Sequence, residues 1–411
     1  MTTEFKCFVG LDWADKKHDV CIQSQDGDTR VFDVIQHTPE SIASWIISLH
    51  DKYDGQIAIA SELDKGPIIN ALKKYSFVTL FAIPPLMLAR YRQTFTSSGA
   101  KNDPSDAQYL LELLLNYPNK IKPISYESNE LRQLRFLTEQ RRFLVGERRR
   151  IVNRLINCLK QYYPQPLGWF DHRNTDLFID FICRWPTLQK LQRARTKTIE
   201  QFFISNRCRS KRLIEMRLDA IEHAVSLTDD QAVMSSFQML AVSLAQQAKL
   251  LNQQIREFDS KIKGLFQEMD DYKIFASLPG AGKCLAPRLL SLMGEKREKF
   301  NSANDVQCMA GIAPVTERSG QKNWVHWRWK CSKFNRQTFV EWAEKTIKYS
   351  YWAKVYYEKK RLKGSSHQCA VRSLAYKWIR ILFRCWKNKT CYDEDKYLAA
   401  LRTRSLLLDV A

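Results

Sequence analysis

The run from Phe8 to Gln23, F-V-G-L-D-W-A-D-K-K-H-D-V-C-I-Q, constrains the chain more than any other stretch. Phe8, Val9 and Leu11 are apolar and lead into Asp12; Val20 and Ile22 restart the apolar alternation after a Lys-Lys turn. That spacing predicts a strand ending near an aspartate, a short turn, and a second strand beginning at His18 or Asp19. A carboxylate on a buried strand is costly unless a cation pairs with it. A metal ion is the usual partner, although a strand-end aspartate can also simply cap a turn.

The next hundred residues alternate strand and helix signals. Thr29–Ile35 reads as a third strand, and Pro39–Tyr53 as a helix with Ile42, Trp45, Ile46 and Leu49 at helical spacing. Gln56–Ser61 reads as a short buried strand that delivers Glu62. Pro67–Tyr75 reads as a helix, and Phe77–Ile83 as a strand broken by Pro84-Pro85. Strands alternating with helices predict an α/β domain whose sheet is at least partly parallel. Lys101–Leu115, K-N-D-P-S-D-A-Q-Y-L-L-E-L-L-L, closes it with a helix. Asp103 before Pro104 is a sound N-cap, and Asp106, three residues on, can face the same way. Capping accounts for Asp103 but does not call for Asp106.

Four carboxylates therefore stand out: Asp12, Glu62, Asp103 and Asp106. Two come from strand ends and two from one helical turn, an arrangement that can hold one or two Mg²⁺ ions for phosphodiester chemistry. An α/β domain of this size always offers some acidic quartet, so the quartet alone leaves both readings open.

The rest of the chain differs in charge. Residues 1–120 carry a net −3 and the remainder +24, within a chain of 411 residues and net +21. A basic body points to a phosphate-backbone partner. Residues 127–163 predict one long amphipathic helix with Leu131, Leu134, Leu137, Phe143 or Leu144, Ile151, Leu155 and Leu159 on its apolar side. Arg141, Arg142, Arg148, Arg149, Arg150 and Arg154 load the rest, and arginine at that density favours bidentate phosphate contact; a solvated face is the alternative. Gly168–Thr228 carries basic helical segments to which the sequence assigns no role. Asp229–Met269 predicts a second long helix, with Met239, Leu240, Leu244, Leu250, Leu251 and Ile255 as its stripe. It is expected to pack antiparallel on the first helix, or on its copy in another subunit.

Two further stretches carry candidate chemistry. Phe275–Gly294 contains L-P-G-A-G-K and resembles a helix-hairpin-helix, in which N–H groups around Gly280, Gly282 and Lys283 would meet a phosphate. A plain turn between helices fits the same letters. Downstream, Ser319-Gly320 lies in a loop between Arg318 and Lys322. Beyond it Val325, Trp327 and Trp329 alternate with His326, Arg328 and Lys330, which on a strand would place the basic trio on one face. That interleaving suits nucleic acid, although Val and Trp facing inward are more often simply core. No apolar run is long enough to span a membrane, and the N-terminus lacks a signal-peptide pattern. The eleven cysteines show no C-x-x-C pair and read as reduced core thiols of a cytoplasmic protein.

Taken together these stretches resemble the DEDD transposases of insertion sequences, a family related to the Piv-type DNA invertases whose members are RNA-guided recombinases. The resemblance is carried by G-L-D-W-A-D-K-K-H-D-V, by Ser61-Glu62, by K-N-D-P-S-D-A, by R-R-R-I-V-N-R-L, and by L-P-G-A-G with A-G-I-A-P-V-T-E-R-S-G. Trp13, Asn102 and the C-S-K-F-N-R segment depart from the family pattern.

The resemblance implies an N-terminal RuvC-like (RNase H fold) α/β domain over residues 1–125, with catalytic, metal-holding Asp12, Glu62, Asp103 and Asp106. It implies a helical coiled-coil arm over 126–270, with an insertion near 166–228. A mainly α C-terminal transposase domain over 271–411 would carry Ser319 as the nucleophile. The expected cofactor is Mg²⁺, with Mn²⁺ as an alternative. The expected partners are DNA (element ends and target) and a structured non-coding guide RNA. The expected assembly is a dimer or tetramer. The long helical stalk between the metal and serine sites makes their pairing between subunits more natural than folding back within one chain, and the sequence leaves both arrangements open. Two rival readings remain: a Mg²⁺-dependent junction nuclease that needs no serine, and a non-enzymatic nucleic-acid-binding protein.

Overall fold

The computed structural model describes residues 5–95 and 103–408, with the backbone alone for Asp103 and residues 404–408. The chain divides into two compact units, Met1–Tyr126 and Glu127–Ala411. The first is a mixed α/β domain. Its strands are β1 (Phe5–Trp13), β2 (Lys17–Ser24), β3 (Arg30–Gln36), β4 (Gln56–Ser61) and β5 (Val78–Ala82); its helices are α1 (Pro39–Tyr53), α2 (Pro67–Leu72), α3 (Pro85–Phe95) and α4 (Asp103–Asn116). The sheet runs β3-β2-β1-β4-β5. The first three strands form an antiparallel meander, and β4 and β5 add in parallel to β1 through helical crossovers.

Pleating sorts the side chains of β1 between two cores. Cys7, Val9 and Leu11 pack with Ile42 and Ile46 of α1 and Ile68 and Ile69 of α2. Gly10 points the other way, toward α4. A Cβ there would lie 1.9 Å from the Ala107 carbonyl oxygen and 2.5 Å from the Leu111 amide nitrogen. Glycine at this position lets the helix backbone rest on the strand. On the same face Cys21 clusters with Ala107 and Leu111, while Ala58 and Ala60 meet Leu88, Leu110 and Leu113.

The second unit is mostly helical. It comprises α5 (Asn129–Tyr162), α6 (Pro166–Trp169), α7 (Asp176–Arg184), α8 (Leu188–Gln192), α9 (Thr196–Ser205), α10 (Lys211–Glu222) and α11 (Gln231–Glu268). After these come α12 (Tyr272–Ala276), α13 (Gly282–Met293), α14 (Ala303–Met309), α15 (Lys333–Tyr349), α16 (Tyr351–Leu362), α17 (His367–Lys387) and α18 (Glu394–Leu408). The hairpin β6 (Val315–Ser319) and β7 (Lys322–His326) interrupts this array.

Helices α5 and α11 pair antiparallel within the chain, as three contacts running in opposite directions show. Arg141 reaches Asp259, Arg148 reaches Asn252, and the Cys158 thiol donates to the Phe237 carbonyl. The stripe that α11 buries is not the one its large residues suggest. Ala241, Leu244, Ala245, Ala248, Asn252, Ile255, Ile262 and Phe266 face inward, whereas Met239, Leu240 and Leu250 are exposed. Alanines let α11 approach its neighbours closely, and that contact outweighs the bulk of Met239 or Leu250. Phe143 of α5 is likewise exposed, because the middle of α5 meets α11 through its arginines.

One end of the α5–α11 pair carries α6–α10 in a core of its own, with Phe178, Phe181, Trp185, Phe202 and Phe203. The other end shares a core with the C-terminal helices, around Trp342, Trp378 and Trp386. All eleven cysteines are free. Cys7, Cys21, Cys158 and Cys385 are buried as expected of core thiols, but Cys369 and Cys391 are exposed. No helix among the described residues is long and apolar enough to cross a membrane.

Candidate active site

The register of the first sheet places the acidic residues. Leu11 pairs with Ser61 across β1 and β4, so Asp12 and Glu62 stand level at the ends of neighbouring strands. Asp12 shares its face with Gly10, two residues earlier, which is the face that α4 covers. Asp106 lies in the first turn of α4, is 2 % exposed, and accepts a 2.7 Å hydrogen bond from Nε of Arg92 on α3. Asp12 and Glu62 are half-buried. Asp103 opens α4, but its side chain lies outside the described residues, as do Lys101 and Asn102.

Two residues that sequence reasoning missed belong to this face. Asp19 pairs with Asp12 across β1 and β2, and cross-strand partners project to the same side. It is buried, with Lys17 3.8 Å away as its ion-pair partner. Arg92 is the second, since it supplies the charge that lets Asp106 sit buried.

Carboxylate oxygens are hard donors that suit Mg²⁺ or Mn²⁺, so the donor chemistry of Asp12, Glu62 and Asp106 fits such an ion. Among the described residues, however, no three His, Cys, Asp or Glu side chains are arranged to hold one. Asp106 is turned to Arg92.

On the opposite face of β1 lies a histidine pair. His18 Nε2 is 2.9 Å from His37 Nδ1, and His18 Nδ1 accepts from the Ala14 amide. Burial, reinforced by His37, lowers the His18 pKa from 6.5 to about 4. His18 is therefore a neutral structural imidazole at physiological pH.

In the second unit Ser319 ends β6, and Gly320, at φ +55°, turns the chain into β7. Lys322 is the cross-strand partner of Ser319, whereas Arg318 pairs with Asn323. Lys322 thus shares a face with Ser319, and Arg318 projects from the other. Glu317 and His326, 3.4 Å apart, lie on the serine's side. The strand expected to continue to Lys330 stops at His326. Trp327 leaves it to lie between Arg336 and Arg372, whose guanidiniums stack on its ring. Arg328 donates to the Ala313 carbonyl. The basic trio therefore does not share one strand face. Trp324, Val325 and Trp329 are exposed rather than core.

The L-P-G-A-G-K turn joins α12 to α13. Gly280 is explained by packing, because a Cβ there would come within 2.9 Å of the Lys345 backbone on α15. Gly282 and Lys283 are exposed at the start of α13, which has no side-chain cap. Along α5 the arginines divide. Arg141 is ion-paired with Asp259 and Arg150 with Glu147; Arg142 stacks on Phe334; Arg148 donates to Asn252. Arg149 and Arg154 are exposed.

An acidic strand-end site on a mixed sheet, joined in one chain to a basic helical body, is the arrangement expected of an enzyme that acts on nucleic-acid strands. Family profiles make this specific. Residues 9–164 match a DEDD family described as "Transposase", and residues 272–358 match the "Transposase IS116/IS110/IS902 family". The chain is 27% identical over 407 residues to the "Mini-circle putative transposase for IS117" of Streptomyces coelicolor, covering 96% of this chain and 97% of that protein. It is 22% identical to the IS116 insertion-element protein of Streptomyces clavuligerus, over 95% of this chain and 97% of that protein. It is 21% identical to the IS900 insertion-element protein of Mycobacterium paratuberculosis, over 96% and 98%. The chain belongs to the IS116/IS110/IS902 family of transposases and is an enzyme acting on DNA.

Proposed function

We propose that this transposase cuts and rejoins DNA with a divalent metal ion and a serine nucleophile, directed by a structured RNA transcribed from its own element. The observation that carries the reading is the level placement of Asp12 and Glu62 on neighbouring strand ends, on a sheet covered by the helix that bears Asp106. Asp12, Glu62, Asp103 and Asp106 would hold Mg²⁺, or Mn²⁺. When bound, such an ion lowers the barrier for an attacking oxygen and neutralises charge on the phosphate.

The chain's own residues divide the remaining work. Ser319 Oγ attacks the scissile phosphorus; an Oγ–P bond forms, the P–O bond to the leaving deoxyribose oxygen breaks, and the serine proton is passed to that oxygen. Lys322, on the serine's face, would pair with a non-bridging phosphate oxygen. Rejoining reverses the exchange on a new strand, so the phosphodiester energy is conserved in the protein–DNA link. The exposed basic residues Arg149, Arg154 and Lys283 contribute affinity through phosphates.

The test is cleavage of element-end DNA with and without the flanking RNA and Mg²⁺. The reading expects metal- and RNA-dependent cutting and a covalent phosphoserine adduct that Ser319→Ala removes. Cleavage by Ser319→Ala with no adduct would support a water-dependent junction nuclease instead.

A further inference from the structure

A second cationic site lies in the helical unit, between α5 and the loop that leads into α7. Arg148 and Arg149 of α5 and Arg173 of that loop line a cleft of about 260 Å³, with Asn153, His172 and Asp171. These three guanidiniums differ from their neighbours. Arg141, Arg150 and Arg256 are neutralised by Asp259, Glu147 and Asp176. Among the described residues Arg148, Arg149 and Arg173 have no ion pair; Arg148 reaches the Asn252 side chain and Arg173 the Leu167 carbonyl. The Nε–H of Arg173 is buried without an acceptor, which is costly to leave unmade. Burial, then the adjacent Arg141 and Arg149 charges, hold Arg148 below the usual arginine range.

Like charges gathered in a concave site and engaged in no ion pair call for an anion, and arginine forks favour a phosphate. Asp171 is the one carboxylate of the lining, which leaves the cleft net cationic. In the cleft the 171–174 loop meets Arg148 and Arg149 of α5. We infer that this cleft binds a backbone phosphate of a nucleic-acid strand, and that the 166–228 segment serves to complete it. The inference rests on the nucleic-acid reading above but not on catalysis.

Full-length protein is titrated with a labelled RNA hairpin and, separately, with a DNA duplex of matching sequence, across a series of salt concentrations. Arg149→Gln and the double variant with Arg173→Gln are compared with wild type and with Lys52→Gln, at an exposed lysine of the first unit. The cleft predicts a loss of affinity on the order of tenfold and a salt slope shallower by about one to two. Lys52→Gln should bind as wild type does. Loss on RNA alone, on DNA alone or on both supports the site and names its ligand. Arg149 is exposed and unpaired, so Arg149→Gln decides the matter if the double variant fails to fold. Wild-type binding with unchanged affinity and slope in Arg149→Gln overturns the cleft and leaves the transposase reading intact. Wild-type protein that binds neither polymer overturns both.

Discussion

Asp12 on β1 and Asp19 on β2 are direct cross-strand partners, so two carboxylates project side by side on the face that α4 covers. Like charges opposite one another destabilise a sheet, by about 1 kcal/mol at separations and dielectric typical of a partly wet site. Lys17, itself largely exposed, compensates Asp19 only from 3.8 Å. A divalent ion near Asp12 would be attracted by both. Asp19→Asn is expected to raise the melting temperature of metal-free protein slightly and to raise several-fold the Mg²⁺ concentration needed for half-maximal cleavage. Asp12→Asn should abolish cleavage at any Mg²⁺ concentration. An unchanged Mg²⁺ requirement in Asp19→Asn would remove Asp19 from the metal's field.

Gly10 sets the height of α4 over the sheet. A methyl group would collide with the Ala107 carbonyl and the Leu111 amide, neither of which can rotate away. Overpacking of this kind costs about 1–3 kcal/mol, and α4 can only relieve it by moving, which displaces Asp106. Gly10→Ala should therefore lower both the melting temperature and cleavage. Gly146, in the middle of α5 with nothing within 4 Å of its would-be Cβ, supplies the contrast. There alanine should stabilise by about 0.5–1 kcal/mol, measured by denaturant unfolding.

His18 makes the first unit sensitive to acid. Its Nδ1 accepts the Ala14 amide, so the ring proton sits on Nε2 and points at His37 Nδ1. The folded pKa is about 4 against 6.5 for an ordinary histidine. Between those values the unfolded chain binds more protons than the folded one, so stability rises with pH. The contribution is complete above about pH 6.5 and is lost as pH falls toward 4, at a cost on the order of 3 kcal/mol. In His18→Gln the melting temperature should vary less with pH across that window than in wild type. Equal slopes would mean that the imidazole is solvated and the pair is incidental.

What the sequence disclosed follows from how local its signals are. The alternation around Asp12, the Thr-Pro-Glu start of α1 and the Gln56–Ser61 run are short-range patterns, and strands and helices stand where those patterns put them. Asp19 was hidden although it lies in the same motif. Its role depends on hairpin register, which the turn between the Trp13 and His18 pair fixes and composition does not. The α11 stripe was misread for the opposite reason. Large apolar residues mark a helix face only when the partner needs bulk, and here Ala241, Ala245 and Ala248 make the contact. The Val325–Lys330 alternation matched a strand letter for letter, but β7 ends at His326 and Trp327 instead stacks against the Arg336 and Arg372 guanidiniums.

The hairpin itself yields the sharpest mechanistic prediction. Arg318 and Lys322 flank Ser319 in sequence and look equivalent there. In the structure they are not, because Lys322 is the cross-strand partner of Ser319 while Arg318 pairs with Asn323 on the far face. A phosphate held against the Ser319 hydroxyl can reach Lys322 without leaving that face. A phosphate on Arg318 belongs to another part of the bound strand. Lys322→Ala should therefore slow single-turnover cleavage by about tenfold or more at saturating DNA, the loss typical of a donor aimed at transition-state charge. Arg318→Ala should leave that rate nearly unchanged while weakening binding and lowering the salt slope by about one. Glu317, whose carboxylate is taken up by His326, should tolerate alanine with little effect on the rate. Rapid-quench measurements of adduct formation, with DNA above saturation for each variant, separate the two effects. A rate defect in Arg318→Ala together with a purely binding defect in Lys322→Ala would invert the assignment and place the reacting phosphate on the other face of the hairpin.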